Sequence, residues 1–293
     1  MTDLGTLGGS SSEAKGINDL GQVVGHAFMA TGDYHAFLYT PGSGMKDLGT
    51  LSGSLSFAYG INNAAQVVGE GVLVSGDWHA FLYTPGSGMK DLGTFGGRWS
   101  SAWGINNAGQ VAGGSITASN KAHTFLYTPG SGMTDLGTFG WTNSWGYGIN
   151  NTGQIFGLHW TTSDYYHSFL YTPGSGVTDL GTLGGTDEMA CGFNNAGQVV
   201  GTARVAGTAG GGFHAFLYTP GSGMTDLNSL IDPASASGWL LTNANAINDN
   251  GQIVGYGLNS LGQIDAFLLT PIPEPATLSL LALGGLVALR RRR

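Results

Sequence analysis

Apolar residues in this chain fall in short blocks rather than in stripes. Val23-Val24, Ala36-Phe37-Leu38-Tyr39, Val67-Val68 and Ala80-Phe81-Leu82-Tyr83 are each bounded by glycines or turn residues. Blocks this short, rich in β-branched and aromatic residues, predict strands buried on both faces, because a sheet wetted on one side alternates instead. Four strands are expected in the first stretch of chain. The first ends at Gly16-Ile17-Asn18 and the second is Gln22-Val23-Val24-Gly25. The third is Ala36-Phe37-Leu38-Tyr39 and the fourth is Met45-Lys46-Asp47-Leu48-Gly49. Asn18-Asp19-Leu20-Gly21 and Thr40-Pro41-Gly42-Ser43-Gly44 supply the turn residues between them.

The same four strands return along the whole chain. Repeats start at Met1, Met45, Met89, Met133, Val177 and Met224, with a period of 44 that lengthens once to 47. Four strands in about 44 residues, apolar on both faces, predict an all-β fold, a six-bladed β-propeller over residues 1–271. An open β-solenoid is the alternative, but its coils are shorter and it needs polar caps. The chain opens on a fourth strand and its repeats end on a third. The N-terminal strand is therefore expected to complete the last blade and close the ring.

Antiparallel strands place the near-identical NNAG and TPGSG turns on one face of such a ring and the variable segments on the other. All seven tryptophans lie in the variable segments or beside them. Trp99, Trp103, Trp141 and Trp145 fall in linkers, with Tyr59 and Tyr147 equivalent to Trp103, while Trp78, Trp160 and Tyr165 border the second set of loops. Aromatics that the repeat does not need, gathered on one rim, are candidate ligand-binding residues for a sugar or a protein. Filling the space between neighbouring blades is the competing role, above all for Tyr59, Trp103 and Tyr147.

Composition narrows the function classes. Glycine accounts for 53 of 293 residues and only 10% are charged, yet 7 Trp, 11 Tyr and 13 Phe give ample material for a core. The formal charge of −8 includes four terminal arginines. Without them and Glu274 the body carries about −11, which argues against nucleic acid as a partner. The single cysteine, Cys191, excludes an intrachain disulfide.

No HExxH, GxSxG, phosphate-loop or zinc spacing is present, so no cofactor or metal is expected and the chain reads as a non-enzyme. His35, His79, His123, His167 and His214 open the third strand of five different sheets. That spacing keeps them apart and gives them a structural role, with Asp265 in the sixth repeat suggesting that the position needs a polar group rather than an imidazole. The recurrent aspartates Asp3, Asp47, Asp91, Asp135, Asp179 and Asp226 read as structural on the same grounds, and the Asn18 and Gln22 types as turn formers. An enzyme would need an asymmetric acid/base site drawn from His26, Glu70, His159, Asp187 and Glu188.

The last 22 residues break the repeat. Pro273-Glu274-Pro275 is followed by a short apolar run, Ala276 to Leu289, and then by Arg290, Arg291, Arg292 and Arg293. Apolar residues closed by arginines predict a short C-terminal membrane helix with its basic end in the cytoplasm. This order resembles the PEP-CTERM sorting signal of Gram-negative bacteria. That resemblance implies export, a transient inner-membrane anchor, and recognition and cleavage by an exosortase, often in organisms that secrete exopolysaccharide. The repeats, with GINxxGQVVG and HAFLYTPGSG, resemble the HAF family of extracellular repeats. A PEP-CTERM protein also carries a signal peptide, and Met1-Thr2-Asp3-Leu4-Gly5-Thr6 is not one, so the true start is expected upstream. The resulting expectation is an exported propeller that binds extracellular polysaccharide or a surface protein. The alternatives are a matrix component without a specific ligand and a glycan-active enzyme.

Overall fold

A computed structural model describes residues 1–160, 165–207, 212–232 and 238–272. The predicted tail helix and sorting residues from Pro273 onward lie outside them. The described chain is almost entirely β, with one 3-10 turn at Leu227–Ser229.

Strands pair antiparallel with their sequence neighbours, so each repeat makes its own sheet. Unit 1 holds Gly8–Ile17, Val23–Met29, Tyr34–Thr40 and Gly44–Asp47 in that spatial order. Units 2 to 5 repeat it. A single parallel bridge from Trp78 to Trp99 joins units 2 and 3 into one larger sheet. Unit 6 has three strands, Leu240–Ile247, Ile253–Leu258 and Ile264–Leu269.

The core lies between units. Val24, Ala36, Leu38 and Leu48 of unit 1 pack on Ala58, Val67, Phe81 and Tyr83 of unit 2, and four further clusters join units 2 to 3, 3 to 4, 4 to 5 and 5 to 6. The phenylalanine of each third strand, Phe37, Phe81, Phe125, Phe169 and Phe216, is at most 1% exposed. Burying such a side chain is worth about 1.5–3 kcal/mol relative to leaving it in water. This accounts for the unbroken apolar runs: in units 2 to 5 one face of the sheet meets the preceding unit and the other meets the next.

Polar side chains tie the units together at fixed points. Asn62 accepts the N–H groups of Ala64 and Gln66 on its Oδ1, and its Nδ2 donates to Gln66 Oε1 and to the carbonyl of Asn106 in the next unit. Asn18, Asn106, Asn150 and Asn194 do the same. The asparagine is thus a turn former and a cross-link at once. Within each of units 1 to 5, the third-strand histidine meets the fourth-strand aspartate, as in His35 Nδ1 to Asp47 at 3.0 Å and His214 Nδ1 to Asp226 at 2.7 Å. The six Asn turns line one shared cavity on the axis, from Asn18 and Asp19 round to Asn248 and Asp249.

The expected strand exchange is not made. Residues 1–6 form no strand, although Asp3 accepts the Gly5 N–H as Asp47 accepts that of Gly49. In units 1 to 5 the fourth-strand aspartate faces a third-strand histidine, whereas the equivalent residue of unit 6 is Asp265, so docking Asp3 there would set two carboxylates face to face, which disfavours the pairing. Asp265 instead accepts from Asn259 Nδ2 at 2.6 Å. Unit 6 thus carries a polar side chain with a different partner at the position where the other five units carry histidine.

The joint between units 6 and 1 is also open. Asn248 Nδ2 donates to Gln252 and, among the described residues, to no neighbouring unit. Val254 is 44% exposed where Val24, Val68 and Val200 are fully buried, and Leu268 and Ile17 are exposed as well.

Candidate ligand-binding face

Three variable aromatics come from equivalent first-strand positions, and the ring places them side by side. Tyr59 stacks flat on Trp103, with ring centroids 4.3 Å apart and planes 9° from parallel. Trp103 then meets Tyr147 at 5.5 Å. A second row starts four residues earlier. Trp99 lies 5.2 Å from Trp145, tilted by 53°, and its strand bridges that of Trp78. Trp145 rests on Gly114, where a Cβ would fall 1.9 Å from its ring. A side chain at 114 would therefore push Trp145 away, and glycine is needed there for close approach.

Glu70 joins the two rows. Its Oε1 accepts from the Tyr59 hydroxyl and its Oε2 from Trp99 Nε1, both at 2.9 Å. Burial, together with the nearby Glu70 charge and hydrogen bond, drives the Tyr59 hydroxyl far above its ordinary range, so it stays a donor. Burial alone raises Tyr147. Trp103 Nε1 is buried and has no hydrogen-bond partner. Trp99 is 42% exposed and presents the platform to solvent.

The structure thus gathers Tyr59, Trp78, Trp99, Trp103, Trp145 and Tyr147 across units 2 to 4. It does not bring the other three candidates to them. Trp141 lies between units 3 and 4, stacked on His159. Trp160 is paired across its hairpin with Tyr166, and Tyr165 is exposed in the same loop region. Sequence reasoning held Glu70 only as an enzymatic candidate. Its role in fixing two aromatic rows depends on contacts between units that no repeat register displays.

Of the five residues proposed for an acid/base site, His26, Glu70 and His159 lie in three different units, and only Asp187 and Glu188 share a cleft. Among the described hydrogen bonds and ion pairs, none links two of them. His26 packs edge-on to Phe57 at 4.8 Å, and burial lowers its pKa. Asp187 pairs with Arg204 at 3.2 Å. Glu188 is 1% exposed and accepts from the Ser168 N–H, with burial raising its pKa to about 8. Asp187 and Glu188 border a cleft of about 420 Å³ with Tyr166, Phe213 and Tyr256.

Comparison with solved structures supports the β-propeller fold. TolB from Acinetobacter baumannii matches with a TM-score of 0.53 at 15% identity, over 71% of this chain and 52% of that one, so this chain spans about half of that protein. A putative TolB from Agrobacterium tumefaciens matches with a TM-score of 0.52 at 12% identity, over 89% of this chain and 91% of that one. A puromycin-hydrolyzing peptidase from Mycobacterium tuberculosis gives 0.50 at 11% identity, over 92% of this chain and 47% of that one. At such identities the likeness concerns the fold alone. Residues 271–293 match the PEP-CTERM protein-sorting motif. No curated protein matches the chain in sequence. Among the described residues no helix is long and apolar enough to cross a membrane.

Proposed function

We propose that this protein is a six-bladed β-propeller of HAF-type repeats, sorted to the surface of a Gram-negative cell, that binds extracellular polysaccharide without turning it over. The sorting motif supports export and handling by an exosortase-type enzyme. The observation that carries the binding role is the double aromatic row held by Glu70, with Trp99 exposed at its edge. Flat rings suit the C–H faces of a sugar, and a fixed carboxylate suits its hydroxyls, because the ring loses little entropy on binding and the acceptor is already oriented. Engagement of Glu70, Asp187 and Glu188 in separate contacts favours binding over hydrolysis.

The test is a glycan array probed with the full chain and with Trp99→Ala, Trp145→Ala and Glu70→Gln. Binding that falls at least tenfold in the variants supports the reading. No glycan binding, or binding indifferent to all three changes, refutes it in favour of a surface-protein ligand or a matrix role. End-group release from an exopolysaccharide bound by the protein would refute the non-enzymatic part.

A further inference from the structure

One position in the repeat is reserved for small residues. On the second strand, directly across from the histidine of the third, stand Ala27, Gly71, Ser115 and Ala203, and in unit 6 Gly257 stands across from Asp265. In unit 4 the residue is His159, paired in register with His167. A second departure accompanies it. The linker position held by Gly9, Gly53, Gly97 and Gly185 in four other units is Trp141 here, and its ring lies on the His159 imidazole at 3.2 Å, 7° from parallel. Two independent breaks in the pattern meet at one place.

The histidine alters the contact it joins. In units 1, 2, 3 and 5 the His Nδ1 to Asp distance is 2.7–3.0 Å. In unit 4 it opens to 3.4 Å, from His167 Nδ1 to Asp179 Oδ2. His159 Nε2 lies 3.3 Å from that same oxygen. His159 is fully buried; its Nδ1 has no hydrogen-bond partner among the described residues, and its Nε2 has only the long approach to Asp179. The imidazole is therefore under-satisfied where it has lost its hydration. The two histidine rings meet at 66°, so they are not stacked on one another.

We propose that His159 Nε2, His167 Nδ1 and Asp179 Oδ2 form a binding site for a divalent transition metal of the zinc class. One ligand atom from each of the three residues lies within 4.8 Å of the other two. Tetrahedral bonds of about 2.0–2.1 Å set ligand atoms roughly 3.3–3.4 Å apart, which matches the two separations to Asp179. Two imidazoles and one carboxylate suit zinc, cobalt or nickel better than calcium or magnesium, which prefer oxygen alone. Trp141 fixes the ring that would otherwise turn, as an outer shell does for a metal-bound histidine. The side chains of Asp179 and His167 are 38% and 22% exposed, so a fourth position opens toward solvent, as in sites that keep a water or ligand. The sequence signal was the exception at 159; the ligand spacing itself follows no common zinc motif.

The test uses the full chain stripped with a chelator and titrated with Co²⁺, read by visible ligand-field absorption, and with Zn²⁺, read by calorimetry. One equivalent is expected. His159→Ala installs the residue of units 1 and 5, so the fold is retained, and binding should weaken by a hundredfold or more. Asp179→Asn should do the same. His79→Ala, which removes an ordinary histidine from unit 2, should leave binding intact. Absence of stoichiometric binding, equal binding by His159→Ala, or equal loss in His79→Ala overturns the proposal.

Discussion

Replacing Asn106 by alanine removes four hydrogen bonds at one point. The side chain accepts from the N–H groups of Ala108 and Gln110 and donates to Gln110 Oε1 and to the carbonyl of Asn150. Asn106 is 3% exposed, so water does not readily replace these partners. At about 1 kcal/mol for each net bond, and with the buried Asn150 carbonyl losing this partner, the loss should be about 3–4 kcal/mol. Asn248→Ala is the matched control. That side chain keeps the three bonds within its own unit, is exposed, and has no neighbour across the open joint. Water takes over its partners, and the cost should be about 1 kcal/mol or less. Urea unfolding followed by tryptophan fluorescence measures both. Equal losses would show that units 6 and 1 are joined in solution as the others are, and a loss below about 1 kcal/mol for Asn106→Ala would refute the relay as a stabilising element.

Three further outcomes follow from individual residues. Gly114→Ala sets a methyl group against the Trp145 ring; overpacking should cost about 1–3 kcal/mol and weaken glycan binding, and a variant with unchanged stability and binding would contradict the close packing seen there. Glu188 has a folded pKa raised to about 8 by burial, against an ordinary value of 4.5, so between these values the folded protein holds a proton that the unfolded chain releases. Stability should therefore fall as pH rises from about 4.5 to about 8 and level off above, whereas Glu188→Ser, which restores the residue of units 1 to 4, should lack this slope; a wild-type-minus-variant difference that is flat with pH would exclude a buried neutral Glu188. Deleting residues 272–293 should abolish surface retention in fractionated cells, and unchanged retention would rule out the sorting role of the tail.

The strands and the repeat were legible because the pattern that reveals them is the cause of the structure: a sheet covered on both faces has no polar position to alternate with. The row Tyr59, Trp103 and Tyr147 was legible for the same reason, since residues 44 apart occupy equivalent places on adjacent units. The pairing of His35 with Asp47 was written in the chain as a constant spacing of twelve. It shows only when the histidine and aspartate series are set side by side, and that comparison leaves Asp265 as the one third-strand position without a histidine. What the repeat does not encode is any contact made by an exceptional residue. Glu70 reaches Tyr59 and Trp99, and His159 reaches Asp179, through side chains that other units lack. An exception shows in sequence as a break in the pattern, but its partner is fixed by the packing of one sheet on the next. Comparing the units position by position therefore locates such a site, and only the distances between units say what chemistry it holds.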